Sequence, residues 1–211
     1  LMNRTFWLEK WAPNQIGFHE VTTHGLLEKW WPTLGLNSDC RVLLPLCGKS
    51  LDMIWLKQLH SLITGIELSE IAALSFFEEN NLEFRNEQFE NYSLFYGDGI
   101  EMYCGDIFEI PPTELEPFDC VYDRAALVAL SPPDRKLYES FISQVTKPKA
   151  KMLLVTVDYN VELITPPPHI ISRNNIEEIY SNCWDLVELG NQTADIKGTV
   201  GTETCYRLEK K

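Results

Sequence analysis

Four apolar runs dominate what this chain can fold into: RVLLP (41–45), LITGIEL (62–68), FDCVYD (118–123) and MLLVTV (152–157). Each is short enough for a strand, and segments of helical periodicity lie between them. MLLVTV is apolar without interruption, as expected of a strand buried on both faces of a parallel sheet. Strands alternating with helices from residue 41 onward predict an α/β fold with helices on both faces of a mostly parallel sheet.

The punctuation agrees with this reading. Ser50 can cap a helix starting at Leu51, whose apolar face would be Leu51, Ile54, Trp55 and Leu59. Ser69 caps a second, with Ile71, Leu74 and Phe77 expected inward and an end near Asn80-Asn81. Tyr92 to Tyr96, the turn Gly97-Asp98-Gly99 and Ile100 to Cys104 read as a β-hairpin. Ser131-Pro132-Pro133-Asp134 starts a helix with Leu137, Phe141 and Val145 along one face. A last helix is expected around Ile176 to Tyr180, then strands at Asp185 to Leu189 and Thr202 to Leu208. Gly190 to Gly201 reads as a polar, mobile loop between them. There is no internal repeat and no low-complexity linker. The expected organisation is one domain over 1–211, with an N-terminal lid and helix in 1–40 and the sheet and helices in 41–211.

Function is first narrowed by charge. A formal net charge of −13 disfavours nucleic acid, whose backbone requires a basic footprint, and anionic membrane surfaces for the same reason. No apolar run approaches the ~20 residues that span a bilayer. Cys40, Cys47, Cys104, Cys120, Cys183 and Cys205 form no Cys-x-x-Cys pair, and several lie in apolar runs. They predict a reduced, cytoplasmic protein. His19, His24, His60 and His169 lack metal-like spacing with cysteines or carboxylates, so no metal site is expected. A small-molecule ligand and a monomer are the expectation.

The first strand leads into LLPLCGKS, which ends like a phosphate-binding P-loop. That motif needs a glycine five positions before the Gly48 position, where this chain has Leu43. The three-glycine dinucleotide fingerprint fails as well. What remains is a strand, a turn made by Gly48, and a helix.

Ligands of such folds bind at the carboxyl ends of the strands. Here those ends carry Leu46, Cys47 and Gly48 after the first strand and Glu67 after the second. Asp106 and Ile107 follow the strand at 100–104, and Asp123 and Arg124 end the run at 118–123. An acid in the Glu67 position can accept hydrogen bonds from both ribose hydroxyls, and one in the Asp106 position can take an adenine amino group. These parts suit an adenosine without a phosphate chain, which points to S-adenosylmethionine. Taken singly, Glu67 can equally be a solvated residue before a helix cap, and Asp106 a turn acid. Ahead of the sheet, Trp7 and Trp11 share a face if their segment is helical. Trp7 suits a plug at the domain edge, whereas Trp11 and Phe18 suit an aromatic lid over a sulfonium cation.

With FWLEKWAPNQIGFHE, RVLLPLCGKSLDMIWL, GIELSE, CGDIFE and FDCVYDRAALVALSPPDR in this order, the chain resembles the bacterial thiopurine S-methyltransferases, with gaps, from Phe6 to about Tyr159. PLCGKSLDMIWL and YDRAALVAL are the most specific stretches. The resemblance implies a class I methyltransferase, Rossmann-like, with a seven-stranded, mostly parallel sheet and a reversed last strand. It implies cofactor contacts at Trp11, Leu46, Glu67, Ile107 and Arg124, with Asp106 beside Ile107, and a substrate contact at Phe18. It also implies methyl transfer from S-adenosylmethionine to the sulfur of a small aromatic or heterocyclic thiol. Arg124 is the candidate to steady the thiolate in catalysis and substrate binding; a pure cofactor contact or an ion pair with Asp123 are the other roles open to it. Alternative acceptors are selenium or tellurium species and small aliphatic thiols. A nucleotide-dependent enzyme using Gly48-Lys49-Ser50 and a binding protein without turnover are the competing classes. Where the family commonly has Gly-Pro-Pro-Phe, this chain has Pro166-Pro167-Pro168-His169.

Overall fold

The structure, a computed structural model, describes Thr5, Leu8, Glu9 and residues 22–211. Trp11 and Phe18, the expected lid residues, lie outside the described residues, as does the Trp7 position.

Among the described residues one nine-stranded sheet organises the fold, in the order β3-β4-β5-β2-β1-β6-β7-β9-β8. β1 is Arg41–Pro45, β2 Leu62–Glu67, β3 Arg85–Gln88, β4 Ser93–Gly97 and β5 Ile100–Cys104. β6 is Phe118–Arg124, β7 Thr146–Asp158, β8 Trp184–Ile196 and β9 Thr199–Lys210. β5, β2, β1, β6 and β7 run parallel. β9 is reversed against β7, as expected. The count of nine corrects the expected seven. β4 is the hairpin arm already legible before Gly97. β3 is the strand Arg-Asn-Glu-Gln, exposed along its whole length, so no apolar alternation announced it.

Helices cover both faces. On one lie α1 (Gly25–Trp30), α2 (Asp52–Lys57) and α3 (Glu70–Glu79), whose Leu26, Leu27, Met53, Leu56, Phe76 and Phe77 pack with Val42, Leu44, Tyr122 and Val155. On the other lie α4 (Pro132–Val145) and α5 (Arg173–Tyr180), packed through Tyr138, Phe141, Ile142, Ile176 and Tyr180 against Leu43, Val121, Met152 and Leu154. The strands therefore bury alternate residues on two cores, which is why they read as continuous apolar runs.

Several expected helix faces are rotated. Ile71 and Leu74 are exposed, and α3 instead meets the sheet through Ala72, Ala73, Phe76 and Phe77. This helix is apolar around much of its circumference, and the small alanines allow the closer approach. Leu59 and Leu137 are also exposed, while Met53, Leu56, Tyr138 and Ile142 point inward. Ser69 caps α3 as expected, accepting the Ala72 N–H at 3.3 Å. Ser131 precedes α4 but donates its hydroxyl to Asp134 at 2.8 Å rather than capping a backbone N–H. Ser50 accepts the Asp52 N–H at 3.2 Å, and α2 begins one residue later than read.

The largest departure is at 190–201. This segment is no loop: β8 and β9 continue through it as a long antiparallel hairpin. Lys197 and Gly198 form the two-residue turn, with φ of 52° and 78°, the left-handed pair that matches strand twist. The pairing there is carried by backbone hydrogen bonds rather than by an apolar face, since the side chains alternate between exposed and half-buried.

Candidate active site

Parallel strands with helices on both faces leave a crevice where the chain order reverses, between β1 and β6. The structure has an open crevice at this point, lined by Leu44 to Cys47, Lys49, Ser50, Asp52, Tyr122, Arg124 and Ala125. Its two rims are strained. Leu46 follows β1 with φ 48° and Ala125 follows β6 with φ 67°. Non-glycine residues held at positive φ cost free energy and cluster at ligand sites.

The turn after β1 is held by Glu67. This carboxylate is buried at the end of β2; its Oε2 accepts the Gly48 N–H and its Oε1 the Ser69 N–H, both at 2.9 Å. Gly48 has φ 56°, a conformation glycine adopts without steric cost. An ionised carboxylate accepts several hydrogen bonds, the chemistry that a ribose diol requires. Glu67 is thus the brace of the turn as well as its candidate ligand group, a double role that its position in the sequence did not disclose. Burial and the Glu67 charge push the Cys47 thiol well above its ordinary pKa, so this cysteine sits in the turn as a neutral, unreactive side chain.

Lys49 answers the P-loop question. Its ammonium donates to both oxygens of Glu79, at 2.7 and 2.8 Å, tying the turn to the end of α3 instead of reaching for a phosphate.

Beyond β5, Asp106 is buried and its Oδ1 accepts the Phe108 N–H at 3.0 Å. Ile107 lies wholly within the core; contact with a ligand there falls to its backbone. Leu46 and Arg124 meet around the crevice; Gly48 and Glu67 are joined in the turn beside it, whereas Asp106 and Ile107 follow β5, the strand beside β2.

Asp123 and Arg124 part company. Alternation in β6 sends Tyr122 and Arg124 to the crevice side and Asp123 to the other face. There Asp123 accepts the Tyr138 hydroxyl at 2.7 Å and the Leu127 N–H at 3.1 Å. Burial pushes its carboxyl up to about 6 despite these bonds. Asp123 holds the fold and is not Arg124's ion-pair partner.

Asp52 and Tyr122, which the sequence did not single out, also line the crevice, and a network of polar side chains adjoins Asp52. Asp52, buried at the start of α2, accepts the His24 backbone N–H at 2.8 Å. The His24 ring meets Glu203 of β9 at 2.9 Å, and Gln192 of β8 donates to the same Glu203 oxygen at 3.0 Å. Burial raises the Glu203 pKa, but the His24 and Gln192 hydrogen bonds, with the His24 and Arg124 charges, outweigh it and hold the carboxyl below its usual range. Tyr122 could have been found from its spacing of two from Arg124. Asp52 and Glu203 carried no signal, because segments far apart in sequence bring them together. Among the described residues no cluster of His, Cys, Asp or Glu is arranged to hold a metal, and no helix is long and apolar enough to cross a membrane.

The sheet order, the reversed β9 and the crevice at the β1–β6 switch define a class I methyltransferase fold. The chain superimposes with TM-score 0.71 on an S-adenosylmethionine-dependent methyltransferase from Anabaena variabilis, at 13% identity, covering 99% of this chain and 95% of that one. It also superimposes with TM-score 0.64 on the Synechocystis magnesium protoporphyrin IX methyltransferase with bound S-adenosylhomocysteine, at 12% identity and 99% of both chains. The sequence profile described as thiopurine S-methyltransferase (TPMT) matches residues 2–210. The thiopurine S-methyltransferase of Marinobacter nauticus is 37% identical over 219 residues, covering 100% of both chains. That of Nitrosospira multiformis is 38% identical over 185 residues, covering 88% of this chain and 84% of the relative. The chain belongs to the thiopurine S-methyltransferase family, and its cofactor is S-adenosylmethionine. The buried Glu67 carboxylate at the end of β2, under a glycine turn that lacks a P-loop's phosphate cradle, fits that cofactor.

Proposed function

We propose that the chain methylates the sulfur of a small aromatic or heterocyclic thiol. The observation that carries this reading is Arg124, a half-buried guanidinium at the crevice beside the Leu46–Cys47 turn. The curated relatives' shared name supports the same acceptor class.

S-adenosylmethionine supplies a sulfonium methyl that is already electrophilic. The chain's residues then have three tasks. Glu67 would hold the ribose hydroxyls and Asp106 the adenine amino group, with Ile107 alongside. The Pro45–Gly48 turn, through Leu46, lies against the methionine part; Trp11 and Phe18 remain assigned to the lid by family resemblance alone. Arg124 steadies the acceptor as its thiolate, since a fixed guanidinium favours a nearby anion. The bound cofactor would supply the methyl, which the thiolate electron pair would take as the donor sulfur keeps the pair of the broken bond; Arg124 would hold the thiolate for this. The acceptor proton has already left to solvent, so no general base is required. Alignment of nucleophile, methyl and leaving sulfur can lower the barrier by roughly 7–11 kcal/mol.

The test is a product assay for S-adenosylhomocysteine and the methylated acceptor over a panel of aromatic thiols, aliphatic thiols, selenols and tellurite. Methyl thioethers from the aromatic and heterocyclic thiols are expected at the highest kcat/KM. Turnover confined to selenium or tellurium species, or none with the cofactor bound, would reject the thiol reading.

A further inference from the structure

β2 carries a glycine in its interior. Gly65 pairs with Leu44 of β1 on one side and with Met102 of β5 on the other, so it stands in a middle strand and makes no turn. A glycine in such a place weakens the strand and marks a point where another group comes close. Here the group is the Cys47 thiol. A Cβ on Gly65 would stand 2.6 Å from the Cys47 Sγ and 3.2 Å from the Met53 Sδ, the first of these well inside contact distance. Gly65 is a notch in the sheet, and the sulfur of Cys47 fills it.

The residue seated in the notch belongs to the crevice wall. Cys47 lines the crevice, and its N–H donates to the Ile66 carbonyl at 3.0 Å. With the bond from the Gly48 N–H to Glu67, this ties the backbone of the turn to β2. The thiol adds a side-chain anchor, packed against the core that holds Met53 and donating to the Gly48 carbonyl at 3.6 Å. The residues on either side of it, Leu46 and Gly48, have φ of 48° and 56°. A leucine persists at positive φ only where its surroundings over-determine it, and the filled notch is part of that constraint.

We propose that Cys47 is a positioning residue for the cofactor, its sulfur in the Gly65 notch setting where the Leu46–Gly48 turn stands in the crevice wall. The inference rests on the reading above that this turn lies against the methionine part of S-adenosylmethionine. A carbon added at Gly65 meets a strand paired on both sides, which cannot yield, and a turn that faces open space, which can. Whether the thiol swings away or the whole turn lifts, the crevice wall moves.

The experiment is calorimetry with S-adenosylhomocysteine and with 5′-methylthioadenosine, which lacks the amino-acid part. It compares wild type, Gly65→Ala, Cys47→Ala and the double variant, with thermal midpoints recorded beside the affinities. Gly65→Ala is expected to weaken S-adenosylhomocysteine about fivefold or more, as an overpacked contact does, and Cys47→Ala to weaken it less. The double variant should bind more tightly than either single one, because the alanine methyl takes the space that the sulfur left. The affinity for 5′-methylthioadenosine should change least. Losses that add in the double variant show that the two positions are not coupled and overturn the proposal. Lower thermal midpoints with both affinities intact also overturn it and leave Cys47 as packing. If Gly65→Ala does not fold, Cys47→Ala and the double variant decide, and equal affinity in these two overturns it. Equal losses for both ligands, with recovery in the double variant, uphold the notch but move the turn to the nucleoside, so that the methionine-side reading falls by itself. Neither ligand is an acceptor, so failure of the thiol reading leaves the outcome intact.

Discussion

At the end of β2, where we propose that the cofactor is held, a single carboxylate, Glu67, is gripped by two backbone N–H groups, those of Gly48 and Ser69. Around the crevice, where we propose that the acceptor binds, Asp52, Tyr122 and Arg124 from α2 and β6 line the opening, and the Arg124 charge helps to hold the Glu203 carboxyl of β9 below its usual range. The first arrangement fixes geometry through main chain, which changes little with the identity of nearby side chains. The second is written in side chains and can be retuned one residue at a time. The contrast suits an enzyme whose cofactor is constant and whose acceptor is chosen.

Substitution of Glu67 should produce the largest effect. Glu67→Ala removes the candidate ribose acceptor and orphans two backbone donors, so S-adenosylhomocysteine binding should weaken by about 1–3 kcal/mol, with a lower thermal midpoint as well. Calorimetry that finds the affinity intact would remove Glu67 from the cofactor side altogether.

A comparable but pH-dependent effect belongs to Asp123, the neighbour of Arg124 on the opposite face. Its carboxyl titrates near 3.8 in the unfolded chain and at about 6 in the fold. Between these values the native state holds more protons than the unfolded one, so stability falls as pH rises through the window. The cost is fully present above pH 6 and amounts to up to about 3 kcal/mol. Relative to Asp123→Asn, wild type should lose stability by up to that amount between about pH 4 and 6 in denaturant titrations, with catalytic selectivity unmoved. A difference that stays flat with pH would contradict the raised pKa.

Lys49 should matter least. The partner Glu79 is 52% exposed at its side chain, and pairs of this kind contribute roughly 0–1 kcal/mol. Lys49→Ala should leave cofactor affinity within a few-fold and create no dependence on ATP. Tight ATP binding that Lys49→Ala abolishes would revive the phosphate-loop reading and break the comparison.

The same contrast explains what was legible in the sequence. The alternation of strands and helices, the Ser69 cap, the hairpin at Gly97-Asp98-Gly99 and the acid at the end of β2 were readable, because each is a local pattern of period, cap or turn. β3 was not, since Arg-Asn-Glu-Gln carries no apolar period. The β8–β9 hairpin was hidden for a related reason, although Lys197-Gly198 was a turn signal between Ile196 and Thr199. α3 misled on its inward face because alanines, not the larger Ile71 and Leu74, meet the sheet. Asp52 and Glu203 reach the acceptor side only through tertiary contacts, and no local rule marks them.

The division of labour is tested most directly through Arg124. Methyl transfer by wild type and Arg124→Lys is measured across aromatic thiols of graded pKa, with S-adenosylmethionine affinity determined for both proteins. Lysine keeps the charge but loses the planar fork. If Arg124 serves the thiolate, the variant loses most activity on thiols of high pKa, which need help to ionise, and least on those already ionised at neutral pH, while cofactor affinity holds. A uniform loss along the series, matched by a loss of cofactor affinity, would place Arg124 on the cofactor side and contradict the account.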